Sequence, residues 1–272
     1  MSRNLSYSAL TLRVKASGES NREAWFLTSE DGLVRATVFG GPKSRLRSLV
    51  APFHGGRLII YHDPVRDSRK VTDFDVFSCR AGLSLLLERV MTASAVAETI
   101  IFSHGGGGNW PEALKLAGDV LDALDIADAE ACSRIVVYFF WRWARFLGVG
   151  PAVHCVNEVA GVNEAAVGNE AAVGNEVGGA CELKADRILW YSVRKELFFC
   201  ENCVRCHEQR GGEPFFAVGA GAADWLKKVD YLSPADLAGV TLDAASLKQA
   251  KILSQAVIAG VLGRRLSTWD AI

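Results

Sequence analysis

Ala24-Trp25-Phe26-Leu27-Thr28-Ser29-Glu30-Asp31-Gly32-Leu33-Val34-Arg35-Ala36-Thr37-Val38-Phe39 is the stretch that decides the fold of the N-terminal part. Two runs rich in apolar and β-branched residues, 24–28 and 33–39, flank Ser-Glu-Asp-Gly. An Asp-Gly pair supplies the positive φ that a tight hairpin connection needs, so the segment predicts a β-hairpin turned at Asp31-Gly32. Working outward, Leu58-Ile59-Ile60-Tyr61 is a further short apolar run. Asp73 and Asp75 alternate with Phe74 and Val76, the period of a strand with one wet face. Short strands separated by turn signals over residues 1–79 suit a small β-barrel such as an OB-fold, although periodicity alone admits other small barrels.

From about residue 81 the apolar period becomes helical. Leu83, Leu86, Leu87, Val90, Met91, Ile100 and Ile101 follow i, i+3, i+4 spacing, and His104 with the glycines at 105–108 stops that helix. Pro111 suits a first helical turn, and Leu114, Ala117, Leu121 and Leu124 carry the next stripe. A third helix is expected over roughly 130–147, with Ile135, Val136, Phe139, Phe140, Trp143, Phe146 and Leu147 apolar. Arg134, Tyr138, Arg142 and Arg145 share its opposite stripe, which reads as a wet face or as a receiver of an acidic peptide. Ser233-Pro234 with Asp236 marks a helix start, and Leu253, Val257, Ile258, Val261 and Leu262 mark a last helix. The expected class is α+β and multidomain: a barrel domain at 1–79, a helical domain over 80–150 and 213–272, and a separate region at 151–212.

Within that region, residues 156–180 read VNEVAGVNEAAVGNEAAVGNEVGGA, with AAVGNE in tandem at 165–170 and 171–176. Ala and Val interrupted by Gly bury too little surface to offset the entropy of ordering the chain. The segment is therefore expected to be a loosely ordered insertion.

The net charge of -1 conceals an asymmetry. Residues 1–80 hold 13 Lys and Arg against 8 Asp and Glu, whereas 81–272 hold 17 against 23. A basic N-terminal part points to a polyanion-binding module on a different kind of scaffold. No apolar run reaches the roughly 18 residues that span a bilayer, and the N-terminal residues lack a long apolar signal core, so a cytoplasmic location is expected. In a reducing compartment the seven cysteines are expected to be free or metal-bound rather than disulfide-linked.

Cys200-Glu-Asn-Cys203 is a C-x2-C knuckle, and Cys155 and Cys181 flank the repeat insertion. If the insertion loops out, these four thiols can form a closed structural zinc site, since closure entropy grows only slowly with loop length. Cys206, His207 and His154 are rival donors. Buried or surface thiols without metal are the plainer alternative. Cys79 and Cys132 read as packing residues.

Lys43, Arg45 and Arg47 alternate after Gly40-Gly41-Pro42, and on an extended segment they would point to one side. With Arg35 and Arg57 they are the expected DNA-binding residues, holding phosphates without reading bases, and Arg66, Arg69 and Lys70 add to the field if the barrel brings them near. Trp25, Phe39 and Tyr61 could stack on bases, but aromatics in a small barrel usually belong to its core. Nothing points to an enzyme. Gly105–Gly108 lacks the Gly-Lys-Ser/Thr of a phosphate loop, and the five histidines fall in no recognisable nucleophile or hydrolase motif. The alternatives are a zinc-containing enzyme acting on nucleic acid, which needs an open metal position, and an interaction adaptor that does not bind DNA.

The order of several motifs resembles the RecO family of bacterial recombination mediators. TSEDGLVRATVFGGPKSRLRSLVAPF at 28–53 is similar to that family's strand pair, basic stretch and L-x-P-F run, here Leu49-Val50-Ala51-Pro52-Phe53. WARFLGVGPAVHC at 143–155, WYSVRKELFFCENC at 190–203 and VLGRRLST at 261–268 resemble later family segments. The resemblance spans nearly all the chain except 156–180. It implies an N-terminal OB-fold, a helical domain and often a zinc finger, in a nucleoid-associated DNA repair protein. It further implies binding of single- and double-stranded DNA, annealing of complementary strands, and contacts with RecR and the acidic tail of single-strand-binding protein that help RecA load. The DNA role falls on Lys43, Arg45 and Arg47. The metal role falls on Cys155, Cys181, Cys200 and Cys203, although the first pair departs from a compact C-x2-C. Arg142 and Arg145 are the candidate receivers of the acidic tail.

Overall fold

In the computed structural model, residues 4–41, 43–156, 188–208 and 215–272 are described, the side chains of 206–208 and 271 excepted. The repeat insertion and Cys181 lie outside the described residues. The chain divides into two compact units. One comprises Met1–Gly150, Lys228–Thr241 and Ser254–Ile272, and the other Pro151–Lys227 and Leu242–Leu253.

The first unit opens with a five-stranded closed barrel. Its strands are β1 (Asn4–Ser17), β2 (Asn21–Thr28), β3 (Gly32–Val38), β4 (Gly55–Asp63) and β5 (Ser68–Ser78), joined in the order β1-β2-β3-β5-β4. The predicted hairpin is present: Thr28 faces Gly32 and Phe26 faces Val34 across β2 and β3. Gly32 has a φ of 62°, and a Cβ there would lie 2.7 Å from the Trp110 indole. Both the turn conformation and the close packing therefore require glycine.

Alternation sorts the side chains. Ala24 and Phe26 on β2, Val34, Ala36 and Val38 on β3, Leu58 and Ile60 on β4, and Val71 and Phe74 on β5 fill the barrel. Phe26 and Phe74 meet edge to face at 6.1 Å. On β1 the register shifts between Thr11 and Arg13: Thr11 pairs with Phe26, but Arg13 pairs with Trp25 and Val14 with Ala24. This bulge adds one residue to β1 and reverses the facing of everything beyond it. Val14 packs on the core while Arg13 and Lys15 are exposed.

The basic stretch is not extended, contrary to expectation. Arg45–Leu49 forms a helical turn, α1, between β3 and β4. Leu46, Leu49 and Val50 stand at i, i+3, i+4 and pack against the barrel core, Val50 fully buried. That apolar spacing is the signal overlooked beside the alternating cations. It plugs the barrel with the turn, so residues two apart point to different sides.

Helices follow the barrel: α2 (Leu87–Phe102), α3 (Trp110–Ile126) and α4 (Ala129–Phe146), then α7 (Pro234–Ala238) and α8 (Ala244–Leu262), whose residues up to Leu253 count with the second unit. The first helical stripe was drawn too early. Ala81–Leu85 is a separate 3-10 turn, Leu86 is extended, and Leu87 at the head of α2 is 71% exposed. Arg80, in the left-handed region, ties barrel to helices by bonding the Asp122 carboxylate and the Phe53 carbonyl, each at 2.7 Å. At α4, 12 of 18 residues are buried, so its Arg134 stripe is not a wet face. Tyr138 is 4% exposed, and Arg134 donates to the Ala238 carbonyl at 2.8 Å. Ser233 caps α7, its hydroxyl accepting from the Asp236 N–H. No helix among the described residues is long and apolar enough to cross a membrane.

In the second unit β6 (Leu189–Ser192) pairs with β7 (Leu197–Cys200) and β8 (Phe215–Val218), and α5 (Glu201–Glu208) and α6 (Ala220–Lys228) follow β7 and β8 respectively. Tyr191 and Phe198 pack ring to ring at 5.1 Å.

Candidate nucleic-acid interface and cysteine cluster

The outer wall of the barrel carries what its interior cannot. Because Ala24, Phe26, Val34 and Ala36 point inward, Trp25 and Arg35 point outward, paired across β2 and β3. Arg13 pairs with Trp25 from the other side. The Arg13 guanidinium lies 6.0 Å and the Lys15 ammonium 5.8 Å from the Trp25 ring centroid. Arg35 is exposed and is held by Glu23 at 3.1 Å. Elsewhere on the wall, Lys70 of β5 sits 5.2 Å from the Tyr61 ring centroid.

The three aromatics expected in the core are therefore not there. Trp25 and Tyr61 are half-buried on outward positions, and Phe39, just past β3, is 51% exposed. The hydrophobicity of a residue was the wrong guide, and its parity against Phe26 and Ile60 the right one. Arg13 and Lys15 were missed as members of a basic surface, whereas Lys70 was expected to add to its field. The alternation Arg13-Val14-Lys15 could have revealed both, but only after β1 was recognised.

The proposed phosphate-holding residues do not form one cluster. Lys43 is exposed in the turn before α1 and Arg45 exposed on it, while Arg47 is half-buried. Arg22, at the start of β2, donates to the Arg47 carbonyl at 3.2 Å and ties α1 to the strand that carries Trp25. Arg57 is exposed on β4 and faces Ser8, with its Nε donating to the Ser6 hydroxyl at 3.0 Å. Ser8 and Arg13 are separated along β1 by roughly 16 Å at the usual strand rise, so Arg57 belongs to another part of the wall.

In the second unit, Cys155, Cys200 and Cys203 gather with all three sulfurs within 4.8 Å of one another. Cys200 ends β7, Cys203 lies in the first turn of α5, and Cys155 bridges to Phe198 beside them. Sulfur separations are 3.7 Å for Cys155–Cys203 and 3.6 Å for Cys200–Cys203. A disulfide needs about 2.05 Å. Thiolates at about 2.3 Å from a tetrahedral metal stand about 3.8 Å apart, so the spacing fits a shared ion. The N-terminal turn of α5 also favours thiolate charge. Cys155 and Cys200 are 2% and 3% exposed, which screens the cluster from solvent. Three of the four expected ligands thus converge and could hold a metal ion. Cys181 and the side chains of Cys206 and His207 fall outside the described residues, and exposed His154 is not in the cluster. Cys132 is buried on α4, where burial pushes its thiol up to about 11, as suits a packing residue, whereas Cys79, just past β5, is exposed and is not one.

Arg142 and Arg145 line a groove of about 760 Å³ in the first unit, with Lys115 of α3, Tyr138 and Tyr231. Arg145 bonds Asp230 at 2.8 Å, and Arg142 donates to the Asp230 carbonyl at 3.2 Å. Lys115 bonds Asp119. Burial raises the Tyr138 phenol above its ordinary range, so it stays protonated at neutral pH. The groove thus has Arg and Tyr donors over apolar flanks from Leu116 and Phe146, with Glu112, Asp119 and Asp230 in the same lining.

Residues 1–79, the whole barrel, match the family described as the N-terminal domain of recombination protein O. No curated protein matches the chain.

Proposed function

Taking the chain as a RecO-family protein, on the strength of its recombination protein O N-terminal domain, we propose that it is a non-catalytic mediator of DNA repair and homologous recombination. A role in repair and recombination follows from the domain itself. The finer reading is that it binds single- and double-stranded DNA, promotes annealing of complementary strands, and helps RecA load together with RecR and single-strand-binding protein in the cytoplasm. The observation that carries it is the outer wall of the barrel. Exposed Arg13, Lys15, Arg35 and Lys70 surround half-buried aromatics, with Lys43 and Arg45 presented by the loop and turn after β3. Exposed cations attract phosphates irrespective of sequence, which suits a protein that must handle any strand.

The acidic tail of single-strand-binding protein is assigned to the Arg142/Arg145 groove. A carboxylate arriving there meets Arg142, whose bond is to a neutral carbonyl, and competes with Asp230 for Arg145. The metal assigned to the cysteine cluster is zinc, held by Cys155, Cys200 and Cys203 with Cys181 as fourth ligand. Four thiolates leave no open position, so the ion would staple the second unit and supply no chemistry to a reaction.

Four outcomes are expected. In fluorescence anisotropy with a labelled single strand, affinity falls about a hundredfold between roughly 50 and 200 mM salt if about five phosphates are held. Replacing Lys43, Arg45 and Arg47 together by Ala weakens binding and flattens the salt slope by about two units. A wild-type protein that does not bind would remove the mediator reading, and equal binding by the folded variant would remove these three residues. Elemental analysis of the purified protein should give about one zinc per chain, lost in the Cys203→Ser variant. A zinc-free wild type with intact fold contradicts the staple. Reversing Arg142 and Arg145 to Glu lowers affinity for an acidic tail peptide at least about tenfold, the scale of a close charge pair. Unchanged affinity in a folded variant excludes the groove.

A further inference from the structure

We infer that Trp25 is a base-stacking platform that makes the barrel prefer unpaired strands. The inference rests on the DNA-binding reading above and specifies the ligand state and the contact that reading leaves open. Four observations carry it.

First, Trp25 is outward on β2 although both its sequence neighbours, Ala24 and Phe26, are fully buried in the barrel core. The indole therefore adds nothing to that core, and its outer face borders solvent. Second, it is centred in a row of three strands, with Arg13 of β1 on one side and Arg35 of β3 on the other. Third, the β1 bulge is what puts Arg13 and Lys15 on this side. Continued alternation from Thr11 would have sent Arg13 into the barrel. Fourth, both cations lie about 6 Å from the ring centroid, at 6.0 and 5.8 Å, near the outer limit of a cation–π contact. At that distance they are flanks of the ring, and can turn to phosphates without first breaking a short ion pair.

The chemistry selects the ligand. An indole face takes a nucleobase of any identity by stacking, and Arg13 and Lys15 beside it take the adjoining phosphates. In a duplex the bases are stacked on one another, and the ring has only backbone to meet. The arrangement thus discriminates single from double strands, through one ring, while the surrounding cations serve both. A sheet-surface cation–π pair with only a structural role would stabilise the fold without that discrimination.

The test compares Trp25→Ala and Trp25→Phe with wild type in the full-length protein. Affinity for a labelled oligothymidylate and for a duplex of equal length is measured by anisotropy at one salt concentration, with melting temperature as the fold control. Stacking on one aromatic side chain predicts a loss on the order of tenfold for the single strand in Trp25→Ala. Duplex affinity should stay within about twofold, and Trp25→Phe should recover most of the loss. Should Trp25→Ala fail to fold, the Trp25→Phe and Trp25→Leu pair, matched in bulk, carries the comparison, with Leu expected to lose single-strand affinity selectively. Equal affinities for the single strand in wild type and the folded non-aromatic variant overturn the platform while leaving DNA binding intact. Parallel losses on both ligands overturn it too, as a general perturbation of the surface. A wild type that binds neither strand overturns the underlying reading instead.

Discussion

Everything on the outside of the barrel depends on what its interior demands. Phe26 and Phe74 fill the centre, and alternation along a strand is obligatory once one side chain is committed inward. With Phe26 inside, Trp25 must be outside. With Val34 and Ala36 inside, Arg35 must be outside. The bulge between Thr11 and Arg13 is the one departure from simple alternation in β1, and it turns two more cations to the same side. The basic and aromatic wall is thus a consequence of packing geometry together with a single inserted residue.

The same economy holds at α1. Its five residues offer Leu46 and Leu49 to the barrel mouth, and that contact fixes where Arg45 and the preceding Lys43 are presented. Arg22 then joins the turn to β2 through the Arg47 carbonyl. On the function proposed above, a surface built this way would hold a flexible polyanion at several loosely defined points. It need not match a base sequence, in keeping with the recombination protein O domain that the barrel represents. The cysteine cluster in the second unit and the Arg142/Arg145 groove in the first use different physics, a shared ion among buried sulfurs and an arginine-lined concavity.

Much of this was legible in the residues, unevenly. The hairpin at Asp31-Gly32 and the helices α3 and α4 were readable because turn chemistry and the 3.6-residue period are local signals. The convergence of Cys155 on Cys200 and Cys203 was readable only from ligand chemistry, since 44 residues of chain intervene between Cys155 and Cys200. What failed was orientation. Trp25, Phe39 and Tyr61 were placed inside on hydrophobicity, whereas parity relative to Phe26 and Ile60 puts Trp25 and Tyr61 outside. Lys43, Arg45 and Arg47 were read as one face of an extended segment, whereas Leu46, Leu49 and Val50 turn that segment into a helical plug. Of the two readings of the Arg134 stripe of α4, the wet face fails at Arg134 and Tyr138, because periodicity reports which side is most apolar, not how many neighbours surround a helix. The β1 bulge has no local sequence signal at all: it is visible only in the pairing of β1 with β2.

The central claim is that nucleic acid lies along the outer wall formed by β1, β2 and β3. Photo-cross-linking an iodouracil-substituted single strand to the full-length protein, with the adducts mapped by mass spectrometry, tests it most directly, because the reaction records which aromatic side chains touch bases. The account predicts adducts on the segment that contains Trp25. Adducts confined to α2–α4 or to the unit that holds the cysteine cluster, with none on the barrel, would contradict it.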